Sequence, residues 1–119
     1  MDNLDKILED RLSSLTHQEA EKLLDDLRDE IDKLDKAIVQ LINRRTLYAV
    51  YIGRVKGELG LPSYSPEREK EISEKINSYL EEPLTKSALQ RIYERIIDES
   101  RAIQKEEGTR ENMHKNRMK

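Results

Sequence analysis

Cysteine, phenylalanine and tryptophan are all absent from this chain of 119 residues. Without cysteine there can be no disulfide, thiolate zinc site or cysteine nucleophile, though its absence says little about compartment. The two histidines, His17 and His114, lie near opposite ends of the sequence, which speaks against clustered metal ligands and a histidine-centred triad. No run approaches the ~18 consecutive apolar residues of a membrane span, so no membrane association is expected. The first residues, Met1-Asp2-Asn3-Leu4-Asp5, are acidic and form no hydrophobic signal core, so a cytoplasmic location is expected. Neither sign of charge prevails. The 22 basic and 25 acidic side chains are mixed along the length rather than gathered in a basic patch, and no nucleic-acid partner is expected.

What remains is helical. Strand signals are almost missing, and the expected fold is all-α. Thr16, with Glu19 three residues on, reads as a capping box opening a long helix. From Leu27 an apolar seam repeats in steps of four and three through Ile31, Leu34, Ile38, Leu41, Arg45, Tyr48, Ile52 and Val55. Gly57, Gly60 and Pro62 then break the pattern. A helix from His17 to about Gly57 would be roughly 60 Å long at ~1.5 Å per residue. A compact monomer of this size is only about 35 Å across. The seam therefore needs a partner, most simply a second copy of the chain. Ser65-Pro66 predicts the cap and first turn of a second helix with Ile72, Ile76, Tyr79 and Leu80 on its apolar face, ended by Pro83. Thr85 predicts the cap of a third, bearing Leu89, Ile92, Tyr93, Ile96, Ile97 and Ile103. The expectation is a three-helix chain with a very long first helix, forming an intertwined homodimer. Residues 1–15 are an N-terminal extension whose Leu4, Leu8, Leu12 and Leu15 suit a short extra helix. Residues 16–107 are the helical domain, and residues 108–119 a polar, frayed tail.

Several polar residues fall where apolar ones belong. Arg45 stands inside the seam, and a cation there is costly unless something anionic meets it. Lys56 is eleven residues further, close to three full turns, on the same side. Arg28 flanks the seam one turn from Leu24 and Ile31. In an antiparallel pair of such helices, its end lies near the Lys56 end of the partner. Arg68 and Glu69 precede Ile72 on its core side, and Ser100 and Gln104 extend the stripe of Tyr93, Ile96 and Ile97. Each has a plain reading as well. A seam arginine can set helix register or snorkel outward. Arg28 and Lys56 can be solvated, Arg68 and Glu69 can pair along the helix surface, and Ser100 and Gln104 can be boundary positions. Together they suggest a pocket for a small dianion.

In order and spacing these pieces resemble the all-helical, type II class of chorismate mutase. The pieces are Leu27-Arg28-Asp29-Glu30-Ile31, Leu41-Ile42-Asn43-Arg44-Arg45, Ile52-Gly53-Arg54-Val55-Lys56, Ser65-Pro66-Glu67-Arg68-Glu69 and Ile96-Ile97-Asp98-Glu99-Ser100-Arg101-Ala102-Ile103-Gln104. The resemblance implies conversion of chorismate to prephenate in aromatic amino-acid biosynthesis, without a cofactor or metal. It also implies two active sites per homodimer, each completed by Arg28 of the other chain. Arg28 and Arg45 would bind the two carboxylates, with Ser100 assisting at the ring carboxylate. Lys56 and Gln104 would hydrogen-bond the ether oxygen, Glu69 would take the ring hydroxyl, and Arg68 would support the carboxylate cluster. Ser65 stands where the family often has Asp, and a backbone contact there would survive the change. Isochorismate pyruvate lyase shares the fold and would use a similar cationic pocket. A non-catalytic helical dimer that binds a partner protein is the alternative of another class.

Overall fold

The computed structural model describes residues 3–118; the side chains of residues 3, 4, 115, 116 and 118 lie outside the description, and with them the expected role of Leu4. Among the described residues the chain is all-helical: α1 (Asn3–Leu12), α2 (His17–Leu59), α3 (Pro66–Ser78) and α4 (Lys86–Met118). The count is four rather than three, and the very long helix is second, because the extension forms the short helix α1 ahead of it. No helix among the described residues is long and apolar enough to cross a membrane.

The caps follow from the residues that flank the helices. Glu19 donates its backbone N–H to Thr16 Oγ1 (3.2 Å), and the Thr16 hydroxyl donates to Glu19 Oε1 (3.0 Å). Gly57 is absorbed into α2, and the helix ends two residues later. Gly60 takes φ +68°, which costs a residue without Cβ nothing, and turns the chain. Leu61 N–H then reaches the carbonyl of Lys56 (2.8 Å) and Gly60 N–H that of Gly57 (3.3 Å), the paired closure of a Schellman motif. Ser65 caps α3 by accepting from the backbone N–H of Arg68 (3.3 Å), with Pro66 in the first helical position. Asp and Ser are equally good caps, so Ser65 keeps the structural role an aspartate would fill there. Thr85 Oγ1 caps α4 by accepting from Ala88 N–H (3.2 Å).

The expected frayed tail is helical instead, as α4 runs through Gly108 to Met118. A glycine inside a helix costs about 1 kcal/mol. Against that stand good helix formers on both sides and an ion pair from Arg54 of α2 to Glu111 (3.4 Å). Of the tail expected at 108–119, Lys119 lies outside the described residues, as do Met1 and Asp2 of the extension.

Two compact units divide the chain, residues 1–40 and residues 41–119. In the first, Leu23 is buried and Leu15 half-buried. In the second, α3 packs on α4, and Val50, Ile76, Leu89 and Ser100 are buried. A polar ladder bridges α3 and α4: Ser73 Oγ donates to Gln90 Oε1 (3.1 Å), and Gln90 Nε2 donates to Asn77 Oδ1 (2.6 Å). Along α2 the seam stays open. Leu27, Ile31, Leu34, Ile38, Leu41, Tyr48, Ile52 and Val55 are between 40% and 62% exposed.

Candidate active site

The second unit holds a cleft of about 290 Å3 between the C-terminal half of α2, the start of α3 and the middle of α4. Arg45 and Lys56 enter it from α2, and Ser65, Arg68 and Glu69 from the cap and first turn of α3. Ser100 and Gln104 enter from α4. Seven of the eight residues singled out in the sequence thus share one cavity, although they are spread over 60 positions from Arg45 to Gln104. Arg28 is absent from its walls and belongs to the first unit.

Each side chain is held by a specific neighbour. Arg45 is half-buried, its guanidinium over the Tyr93 ring (6.0 Å to the centroid), with Nη1 donating to Ser100 Oγ (3.5 Å). Ser100 is buried, 5% exposed, so its hydroxyl has little access to bulk water. Lys56 Nζ donates to the carbonyl of Ser63 in the loop after α2 (3.1 Å). The Arg68 head group is not turned to the core as its position suggested. It is more than half exposed at the cleft rim and pairs with Glu71 on its own helix (3.1 Å). Glu69 is half-buried and forms an ion pair with Arg101 of α4.

Gln104 has the tightest setting. Its Nε2 donates to the backbone carbonyl of Ala49 (2.6 Å). A carbonyl accepts and never donates, so this contact decides which end of the amide is nitrogen. One amide hydrogen is spent there, and the other remains for a second acceptor. The close approach depends on Gly53, where a Cβ would stand 2.6 Å from Gln104 Cγ.

The electrostatics separate this cleft from its neighbour. Four cations face a single carboxylate here, on a chain whose formal net charge is −3. The neighbouring cavity between α2 and the last turns of α4 is larger, about 570 Å3, but its three cations are matched by three carboxylates. Of the two, the smaller cleft offers a surplus of positive charge to an anionic ligand.

Arg101 and Tyr64 line the cleft without having had a role in the sequence reading. Arg101 lies between Ser100 and Gln104, but one charge on so charged a helix gives no signal. Tyr64 sits in a loop, where no periodicity marks a face.

Comparison with known proteins gives the chain its relatives. Residues 27–105 match the family described as chorismate mutase type II. The chain is 40% identical over 86 residues to a bifunctional chorismate mutase/prephenate dehydratase of Aquifex aeolicus, spanning 69% of this chain but only 24% of that protein. It is 32% identical over 84 residues to a chorismate mutase of Methanocaldococcus jannaschii, spanning 70% of this chain and 85% of that one. A solved structure of chorismate mutase (form II) from Thermus thermophilus superposes with a TM-score of 0.67 at 28% identity, covering 69% of this chain and 93% of that one. Seam, caps, cationic cleft and sequence match together lead to one assignment: the chain belongs to the type II chorismate mutase family.

Proposed function

We propose that this protein is a chorismate mutase that converts chorismate to prephenate for phenylalanine and tyrosine synthesis, acting as a homodimer. The observation behind this reading is the cleft itself: four cations, one carboxylate and neutral polar side chains that include Ser100 and Gln104, around a space for a small molecule. The rearrangement breaks one C–O bond while a C–C bond forms within the same molecule. It calls for no nucleophile. A catalyst has to hold a dianion folded in a near-attack geometry and stabilise the charge that develops on the ether oxygen.

In this reading Arg45, backed by Ser100 and Tyr93, takes one carboxylate. Lys56 and the second amide hydrogen of Gln104 meet the ether oxygen, each such donor being worth a few kcal/mol in a dry site. Glu69 accepts from the ring hydroxyl, and Arg68 supplies positive potential at the rim. Ser65 contributes through backbone and cap. The second carboxylate is met by Arg28 of the partner copy. The open α2 seam supports the dimer, since eight of its apolar and aromatic side chains are at least 40% exposed along one stripe, the kind of contiguous apolar surface that marks an interaction face.

The test is incubation with chorismate, following its loss and identifying the product. Prephenate is the expected product. Inertness toward chorismate together with pyruvate release from isochorismate would assign the lyase reaction instead, and inertness toward both would leave a binding module.

A further inference from the structure

We propose that Arg101 is a positioning residue of this site: it locks the Glu69 carboxylate and the loop at Tyr64 onto α4, so that Glu69 meets the substrate hydroxyl already oriented. The inference rests on the mutase reading and adds a residue to it.

Three contacts meet at one guanidinium. Arg101 Nη2 pairs with Glu69 Oε1 across the α3–α4 boundary. Its planar head lies over the Tyr64 ring, 5.0 Å from the centroid, one residue before the Ser65 cap. Asp98, three residues back on α4, stands at the edge of ion-pair range at 3.8 Å. The first two contacts reach from α4 to the two chain segments that bring α3 into the cleft. Ser100 and Gln104 share one side of α4, and Arg101 follows Ser100 by about 100° of helix rotation, so it reaches sideways toward α3.

The consequence for Glu69 is geometric and electrostatic. Its Oε1 pairs with Arg101, and a carboxylate held at one oxygen can still accept a hydroxyl at the other. Without Arg101 the carboxylate would sample several rotamers on the first turn of α3. It would also set an uncompensated negative charge against a dianionic substrate. Arginine suits the task because its flat fork can pair with a carboxylate and stack on a ring at once. Lysine keeps the charge and loses the stacking. Arg101 thereby acts through Glu69 and Tyr64 rather than on the reacting bond.

The experiment is a double-mutant cycle on the dimeric enzyme with chorismate, reading kcat and KM separately. Arg101→Ala is expected to raise KM about tenfold and leave kcat within about twofold, as for a lost interaction shared by ground and transition states. Arg101→Lys should recover part of that loss. In a Glu69→Ala background, Arg101→Ala should cost less than about twofold more, because its target is gone. Tyr64→Leu gives a second route to the same coupling if Arg101→Ala folds poorly, as judged by circular dichroism. A loss on Arg101→Ala that multiplies fully with that of Glu69→Ala, or that falls on kcat, overturns the assignment and leaves the mutase reading intact. A wild-type protein that does not consume chorismate overturns both.

Discussion

Gly53 offers the sharpest test of how α2 and α4 build the cleft. Replacing it with alanine places a methyl group 2.6 Å from Gln104 Cγ and 3.0 Å from Cδ and Nε2. Carbon atoms rest at about 3.5–4.0 Å, so one side must withdraw by about 1 Å. The backbone of α2 is rigid and the glutamine side chain is flexible, so Gln104 gives way and its bond to the Ala49 carbonyl is lost. Two terms then oppose each other in stability. Glycine to alanine inside a helix gains about 1 kcal/mol, and the lost hydrogen bond costs about 1 kcal/mol. Folding stability should therefore change by less than about 1 kcal/mol. Activity should not be spared if Gln104 is the donor proposed for the ether oxygen, since a displacement of about 1 Å there can cost up to about 100-fold. Gly57→Ala is the control. It lies on the same helix with no atom within 4 Å of the added methyl, so it should gain roughly 1 kcal/mol and keep its activity. The measurements are urea unfolding at fixed protein concentration and kcat/KM on chorismate for the three proteins. Wild-type kinetics in Gly53→Ala would show that Gln104 does not work from its place against Gly53, and the α4 side of the site would have to be redrawn.

Gln104→Glu should retain activity at low pH, where a protonated carboxyl still donates, and lose it steeply as the group ionises beside the developing negative charge; the parent rate should stay nearly flat from about pH 5 to 8. A pH profile of kcat/KM that coincides for the two proteins would remove Gln104 as the ether-oxygen donor. Arg28→Ala and Lys56→Ala should each be nearly inactive, yet regain activity when mixed under subunit exchange, because one site of the heterodimer then holds both wild-type residues. No recovery despite exchange proven by labelled subunits would rule out a shared site. Ser65→Ala should destabilise the fold by about 1 kcal/mol through the lost α3 cap, whereas Ser65→Asp should be close to neutral, both read by urea unfolding.

The helices themselves were legible from the amino-acid order. Thr16, Ser65 and Thr85 each stand at a cap because their side-chain oxygens satisfy orphan N–H groups of the first helical turn. The seam residues, and the shared side of Arg45 and Lys56, were equally legible, since a period of 3.6 assigns each side chain to a face before any packing occurs. Helix ends were less so. Gly57 and Gly108 read as breaks, but a helical glycine costs only about 1 kcal/mol, which neighbouring residues and one ion pair can outweigh. What only the tertiary structure decided was which groups face one another. Periodicity says that Gln104 lies on an apolar face, but not that it rests on Gly53 and donates to Ala49, a backbone group 55 residues earlier. Nor does it separate Arg101, which joins Glu69 to Tyr64, from Arg68, which turns back to Glu71. A face is set by rotation about one helix axis and is therefore local. A partner depends on how two helices approach, and that distance is fixed by side chains far apart in the chain.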